Sequence, residues 1–332
     1  MDFLSADSLP WLRDSQQRLR AAWAAQRLPH SLLLLSVPGL GAEQLANWIT
    51  ALALCESGDA RPCGACASCQ LLRADSHPDS HRVRIEEDAH QIKVDQVRTL
   101  IESLALKSYR GGFKVGVIEG AEALNANGAN AFLKTLEEPT ANTVLIMIAR
   151  PNHRMPATIA SRCLRLTLQP PSADVAIAWL REHGSSSAAA AARSWEAALA
   201  LAGGAPLLAL EMDASAIAAL DADMQESLRQ LSAGTVDVSL LAERWLKSDP
   251  GLRVIWLENW ITRRVQVELG GAVSSQSAEP VRLPAALLKP KIRALFELLD
   301  AARDLRRLAS TGMNQQLALE ALLLGGRAAL AR

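Results

Sequence analysis

Short unbroken apolar runs alternate with segments of helical spacing over the first half of the chain. Ser31-Leu-Leu-Leu-Leu-Ser36, Lys114-Val-Gly-Val-Ile118 and Thr143 to Ala149 read as strands. An apolar run without polar alternation suits a strand covered on both faces, as in a parallel sheet. Weaker strand signals lie at His81 to Ile85 and Cys163 to Leu168. Helical spacing marks Leu9 to Gln26 (Leu12, Leu19, Trp23), Ala42 to Leu54 (Leu45, Trp48, Ile49, Leu52) and a segment through Val94, Val97, Leu100, Ile101 and Leu104. Asn130 to Leu136 belongs to a further predicted helix stopped by Pro139, and Thr158 to Ser161 reads as a short one. Strands alternating with helices imply right-handed crossovers and a parallel sheet.

Gln169-Pro170-Pro171 ends this pattern. Beyond it only helices are predicted: three short ones at 172–183, 190–202 and 205–212, then longer ones centred near 225, 241, 258, 299 and 320. Ser248-Asp-Pro-Gly251 and a polar stretch from Gly270 to Pro284 interrupt them. The expected organisation is an α/β domain over 1–169 with a cysteine insert at 55–69, a small helical subdomain over 170–212, and an all-helical domain over 213–332.

Composition narrows the function classes. The 332 residues are 49% hydrophobic and 21% charged, enough apolar material for packed cores. Thirty-five basic residues balance thirty-five acidic ones, which argues against a protein held to DNA by bulk charge. The longest apolar runs fall far short of the ~20 residues that span a bilayer, and no basic segment followed by an apolar stretch opens the chain. A soluble, cytoplasmic protein without a membrane partner is expected.

Four of the five cysteines lie in Cys55-x7-Cys63-x2-Cys66-x2-Cys69. In a chain without secretory features such crowding reads as a metal site. Zn²⁺ takes four thiolates at tetrahedral corners, and small residues (Gly64, Ala65, Ala67, Ser68) allow the tight turn between them. With no open position the zinc would be structural. Reduced, unrelated cysteines are the plainer alternative, and His77 and His81 read as surface or loop histidines rather than competing ligands.

The turn after the first strand, Ser36-Val-Pro-Gly39-Leu-Gly41-Ala42-Glu43, has the layout of a phosphate-binding loop. That loop needs G-x-x-x-x-G-K-[ST], with glycines to cradle phosphates, a lysine on the β/γ charge and a hydroxyl on Mg²⁺. Ser36 replaces the first glycine, Ala42 the lysine and Glu43 the hydroxyl. A charge-assisted contact contributes about 1.5–3 kcal/mol, whereas the helix dipole offers about 1 kcal/mol. The second acidic site is also incomplete, since Glu119-Gly120 stands where an ATPase offers Asp-Glu. Neither a bound nucleotide cofactor nor ATP hydrolysis is expected.

Several segments together carry a family resemblance: Leu9-Pro-Trp-Leu12, Arg27-Leu-Pro-His-Ser31, the cysteine quartet followed by His77-Pro-Asp79, Asn130-Ala-Phe-Leu-Lys-Thr-Leu-Glu-Glu-Pro139, and Thr158-Ile-Ala-Ser-Arg-Cys163. In this order they resemble the delta-prime subunits of the bacterial DNA polymerase III clamp loader, within the AAA+ superfamily. The resemblance covers residues 1–170; the rest matches in general character, through Asn314-Gln-Gln-Leu-Ala-Leu-Glu320 and its helical composition. It implies a RecA-like AAA+ parallel-sheet domain, a helical lid, and a C-terminal helical collar that holds a ring-shaped pentamer together. Implied partners are the gamma/tau motor subunits, the delta subunit and, through the complex, the sliding clamp and primer–template DNA. The holoenzyme is a DNA-directed DNA polymerase, a nucleotidyltransferase, but nothing in this chain has polymerase chemistry.

Departures from the motor subunits fall at Ala42, Glu43 and Gly120, at Ala149-Arg150-Pro151, which lacks a sensor threonine, and at Gly203-Gly204-Ala205-Pro206, which lacks a sensor arginine. The resemblance implies that Arg162, with Ser161 and Cys163 as its motif, is an arginine finger serving a neighbour's ATP in trans. A surface salt bridge is the bland alternative. Asn130 to Glu138 is either interface or ordinary amphipathic helix, and Arg150, Arg154, Arg162 and Arg165 are either solvated arginines or DNA contacts. Two rival functions remain: an active clamp-loader ATPase with an unconventional loop, and a zinc-containing nucleic-acid-binding protein.

Overall fold

The computed structural model describes residues 7–58, 61–86, 89, 91–151, 155–184, 191–268, 290–308 and 314–330. The chain divides into two compact units, one of residues 1–176 with 205–208, the other of 177–204 with 209–332.

The first unit is built on five parallel strands, β1 (Ser31–Leu35), β2 (Ser80–Val83), β3 (Lys114–Glu119), β4 (Thr143–Ala149) and β5 (Leu164–Thr167), ordered β2-β3-β4-β1-β5. Leu33 lies beside Met147, Leu34 beside Leu166 and Val117 beside Ile146. All seven residues of β4 are buried, which is why its sequence shows no alternation. The connecting helices are α1 (Arg13–Ala24), α2 (Ala42–Leu54), α3 (Ala67–Arg73), α4 (Val94–Ala105), α5 (Ala126–Glu137) and α6 (Ala157–Ala160). Helices α4 and α5 close one face of the sheet, with Val97, Leu100, Leu104, Phe132 and Leu136 packed on Leu33, Ile118, Leu145 and Met147. Helix α2 is buried at ten of its thirteen residues, Trp48 among them.

The boundaries of β4 and α2 are those predicted, and each difference elsewhere has a local cause. Pro10–Leu12 forms a 3-10 turn ahead of α1. Helix α5 contains the expected 130–136 segment and begins at Ala126, where the Asn125 carboxamide accepts the Gly128 N–H at 2.8 Å and caps it. The cysteine segment contains a helix of its own, α3, with Cys66 as its N-cap. The amine of Lys114 is buried at the start of β3 and donates to the carbonyls of Leu104 (2.5 Å) and Leu106 (2.7 Å) and to Thr140 Oγ1 (2.9 Å). It thereby satisfies the open C-terminal end of α4.

The remaining helices are α7 (Ala173–His183), α8 (Ala191–Leu201), α9 (Pro206–Glu211), α10 (Ala214–Ala233), α11 (Val238–Lys247), α12 (Pro250–Glu268), α13 (Pro290–Leu308) and α14 (Gln315–Leu330). Within the second unit, Asp213 and Asp237 cap α10 and α11. Arg253 is buried there, with Nη1 on Asp223 at 2.5 Å and Nε on the Ser248 carbonyl at 2.9 Å. The break between α11 and α12 comes from Asp249 at φ +44°, after which Pro250 opens α12. The polar stretch from 270 to 284 lies outside the described residues. Among the described residues no helix is long and apolar enough to cross a membrane.

Phe132 is a fully buried anchor between α5 and the sheet. Phe132→Ala is expected to cost about 3–5 kcal/mol in denaturant unfolding. Leu106→Ala, at a side chain 68% exposed, is expected to change stability by less than about 0.5 kcal/mol.

Candidate functional site

The four clustered cysteines come together from two elements and a loop. Cys55 follows the last residue of α2, Cys63 sits in the loop, Cys66 caps α3 and Cys69 lies inside it. Their sulfurs all lie within 4.8 Å of one another, with Cys55–Cys66 at 3.9 Å and Cys63–Cys69 at 4.0 Å. For metal–sulfur bonds of about 2.3 Å, tetrahedral corners stand about 3.8 Å apart. The quartet therefore fits a tetrahedral metal ion, and Cys163 takes no part in it. Backbone N–H groups point at the sulfurs: Ala65 and Cys66 donate to Cys63 Sγ (3.5 and 3.3 Å), Cys63 to Cys55 Sγ (3.4 Å) and Cys69 to Cys66 Sγ (3.5 Å). The Ala65 and Cys66 donors draw the Cys63 thiol down to about 6, whereas burial pushes Cys55 and Cys69 up.

A polar network that the sequence did not suggest joins this cluster to the sheet. Ser68 Oγ contacts Glu56 Oε1 at 3.1 Å and His77 Nε2 at 3.0 Å, while His77 Nδ1 accepts the Asp79 N–H at 3.1 Å. His77 lies in a loop, as one of its two expected placements had it, but it is buried there rather than at the surface. Both ring nitrogens are engaged, so it is no competing ligand in this arrangement; His81 lies in β2. Burial of the imidazole holds the His77 pKa below its ordinary value. The buried Asp79 carboxylate accepts from Ser108 Oγ (3.0 Å) and from the backbone of Tyr109 (2.7 Å) and Arg110 (3.0 Å), while the Arg110 guanidinium reaches back to Glu56.

At the opposite edge of the sheet the turn between β1 and α2 keeps glycine's conformation without the phosphate chemistry. Gly39 and Gly41 have φ of +81° and +88°. A Cβ on Gly39 would stand 2.5 Å from Leu208 Cβ, and one on Gly41 2.7 Å from Leu9 Cδ1. The Leu207 N–H donates to the Gly39 carbonyl (3.1 Å) and Trp11 Nε1 to the Leu40 carbonyl (2.8 Å). Leucines thus back onto the glycines. Ser36 is buried with its hydroxyl on the Val37 carbonyl (2.8 Å), Ala42 is buried, and Glu43 is exposed on the first turn of α2. Glu119, at the end of β3, is engaged by Arg82 of β2, whose other arm reaches Asn47 Oδ1 at 2.5 Å.

Arg162 lies in the three-residue link between α6 and β5. Its Nε donates to Glu137 Oε1 at 2.9 Å, Nη2 meets the same oxygen, and Nη1 donates to the Thr158 carbonyl at 2.8 Å. Two signature segments far apart in sequence are therefore in contact, and the salt bridge named as the plainer alternative is present. Ser161 ends α6 with its hydroxyl on the Thr158 carbonyl (3.2 Å). The Cys163 thiol donates to the Ile159 carbonyl at 3.2 Å, and burial pushes its pKa up to about 11. Of the other arginines nearby, Arg150 pairs with Glu122 at 3.6 Å and Arg165 donates to the Ala160 carbonyl at 3.1 Å; Arg154 lies outside the described residues.

A family model described as DNA polymerase III, delta subunit, matches residues 12–172. DNA polymerase III subunit delta' of Pseudomonas aeruginosa is 33% identical over 327 residues, covering 96% of this chain and 97% of the relative. The Escherichia coli protein of the same name is 32% identical over 326 residues, covering 95% and 94%. Among solved structures, a DNA polymerase III gamma-subunit-related protein of Thermotoga maritima aligns with 94% of this chain and 99% of its own, at 17% identity and a TM-score of 0.45. With relatives of matching length aligned over nearly all of both chains at about a third identity, the chain belongs to the delta-prime family of DNA polymerase III subunits.

Proposed function

We propose that this chain is a non-hydrolysing subunit of a clamp-loader complex that lends Arg162 to the ATP site of an adjoining motor subunit. The observation that carries the reading is the contrast between its two edges. The loop after β1 offers Ala42 and Glu43 in place of a cation and a hydroxyl, backed by leucines, while Arg162 stays at the surface. A carboxylate on the first turn of α2 repels a polyphosphate, and the dipole attraction of about 1 kcal/mol does not offset it. A guanidinium, by contrast, needs nothing from its own subunit's nucleotide site. Its planar fork can bind γ-phosphate oxygens bidentately and stabilise transition-state charge across an interface.

In this reading residues 1–169 form the AAA+ domain, 170–212 its lid and 213–332 the collar that joins the gamma/tau motor and delta subunits. The assembly opens the sliding clamp at primer–template junctions in the cytoplasm, and this subunit has no catalysis of its own. The cysteine quartet holds structural zinc. Four cysteine ligands would fill a tetrahedral shell and leave no open position for a reacting water.

Arg162→Ala in the reconstituted complex is expected to slow DNA-stimulated ATP turnover at the adjoining site about tenfold or more, a modest part of the 10³–10⁵ such residues supply in GTPases. Unchanged turnover would overturn the trans role. The isolated chain is expected to bind no ATP in equilibrium titration; tight binding with hydrolysis would favour an active ATPase instead.

For the metal, the chain purified without chelator is expected to carry about one zinc equivalent. Thiolate ligands must lose their protons to bind, so zinc affinity falls as pH falls. Zinc held at pH 8 is expected to leave as pH drops toward 5, read with a chromogenic chelator. Cys63→Ser should lower zinc occupancy and the unfolding midpoint, by about 2–4 °C per kcal/mol of metal binding lost. Protein free of zinc yet unchanged in stability would end the structural-zinc reading.

A further inference from the structure

The contact between Arg162 and Glu137 has a feature that an ordinary surface ion pair does not need. The Nε and Nη2 groups both face Glu137 Oε1, so the carboxylate takes the very edge of the guanidinium that grips phosphate oxygens in a bidentate contact. The third nitrogen, Nη1, is fixed on the Thr158 carbonyl at 2.8 Å. The side chain is held in one orientation by an anion standing where a phosphate would stand.

The placement of Glu137 breaks a local rule. It is the last residue of α5, followed by Glu138 at the C-cap. The C-terminal end of a helix carries partial negative charge and favours cations, so two carboxylates there oppose the helix dipole. Violations of local preference mark sites kept for function. Glu137 and Arg162 are respectively 50% and 35% exposed, so solvent screens their attraction and release costs little. A doubly charged phosphate offers the same fork more charge than a carboxylate does.

We infer that Glu137 is a positioning residue: an internal stand-in for the neighbour's γ-phosphate, seating the Arg162 fork until ATP in the adjoining subunit takes it over. This rests on the trans role of Arg162. No covalent step is involved; one anion replaces another on the same two N–H donors, and the Glu137 carboxylate returns to water. The exchange makes the neighbouring site's affinity for ATP depend on how firmly Glu137 holds on.

Glu137→Gln in the complete reconstituted complex tests this. Glutamine keeps the size and one acceptor but removes the charge. The ATP concentration for half-maximal turnover at the adjoining site should fall about two- to fivefold, the factor an exposed ion pair supplies, with turnover at saturation unchanged. In the isolated subunit the Arg162 Nε–H resonance should move toward the position of a solvated guanidinium. In an Arg162→Ala background the same substitution should have no effect on ATP dependence.

An unchanged or raised half-maximal concentration in Glu137→Gln, alongside a slow Arg162→Ala complex, overturns the stand-in while leaving the trans role intact. A Glu137→Gln effect that persists without Arg162 overturns it as well, since the carboxylate then acts by another route. Normal turnover in Arg162→Ala removes both readings together.

Discussion

A parallel sheet whose central strands are buried on both faces confines chemistry to its two edges, and the first unit of this chain is organised by that constraint. With β4 wholly inside, no polar group can act from the middle of the sheet without losing its hydration. Residues that follow strands gather at the carboxyl edge, where open α/β folds bind ligands: the glycine turn after β1 and Glu119 at the end of β3. Residues that precede strands, and the ends of helices returning to them, gather at the amino edge. Cys55 after α2, Asp79 before β2, Lys114 opening β3, Glu137 ending α5 and Arg162 before β5 all belong there. Because the two edges share only the apolar interior, one can decay while the other is kept.

The amino edge is held by groups whose hydrogen bonds are fully used. Lys114 spends three donors on three oxygens, two of them at the open end of α4. The Asp79 carboxylate gathers the 108–110 segment through three donors, and the Glu56–Ser68–His77 chain ties the cysteine module to the same loop. A cysteine cluster alone is a small, loosely anchored element, and this scaffold gives it a fixed place on the sheet. The carboxyl edge shows the reverse, with leucines and an internal Arg82–Glu119 pair where a nucleotide site would keep its charges open.

Much of the architecture could be read from apolar spacing. The Leu32–Leu34 run, the Leu45–Trp48–Ile49–Leu52 stripe and the unbroken Thr143–Ala149 segment mark their elements because burial alone dictates them. The hidden elements are those that burial does not dictate. Helix α3 is only seven residues long and begins at a cysteine cap, and the first turn of α5 depends on the Asn125 side chain rather than on apolar positions. The cysteine spacing announced a cluster, and the altered loop announced a missing cation. The partners of Arg162 and His77 could not be read, because Glu137 and Ser68 reach them only through the fold.

The leucine behind Gly39 bears on what a change at the neighbouring positions could do. Lysine and threonine placed at positions 42 and 43 would leave Leu208 against the turn and the Leu207 amide on the Gly39 carbonyl. Tight packing transmits strain, so the conformation of this turn is set by its leucine backing as well as by its own residues. The glycine turn is thus a packed joint of the fold in its own right, whatever side chains its helix presents.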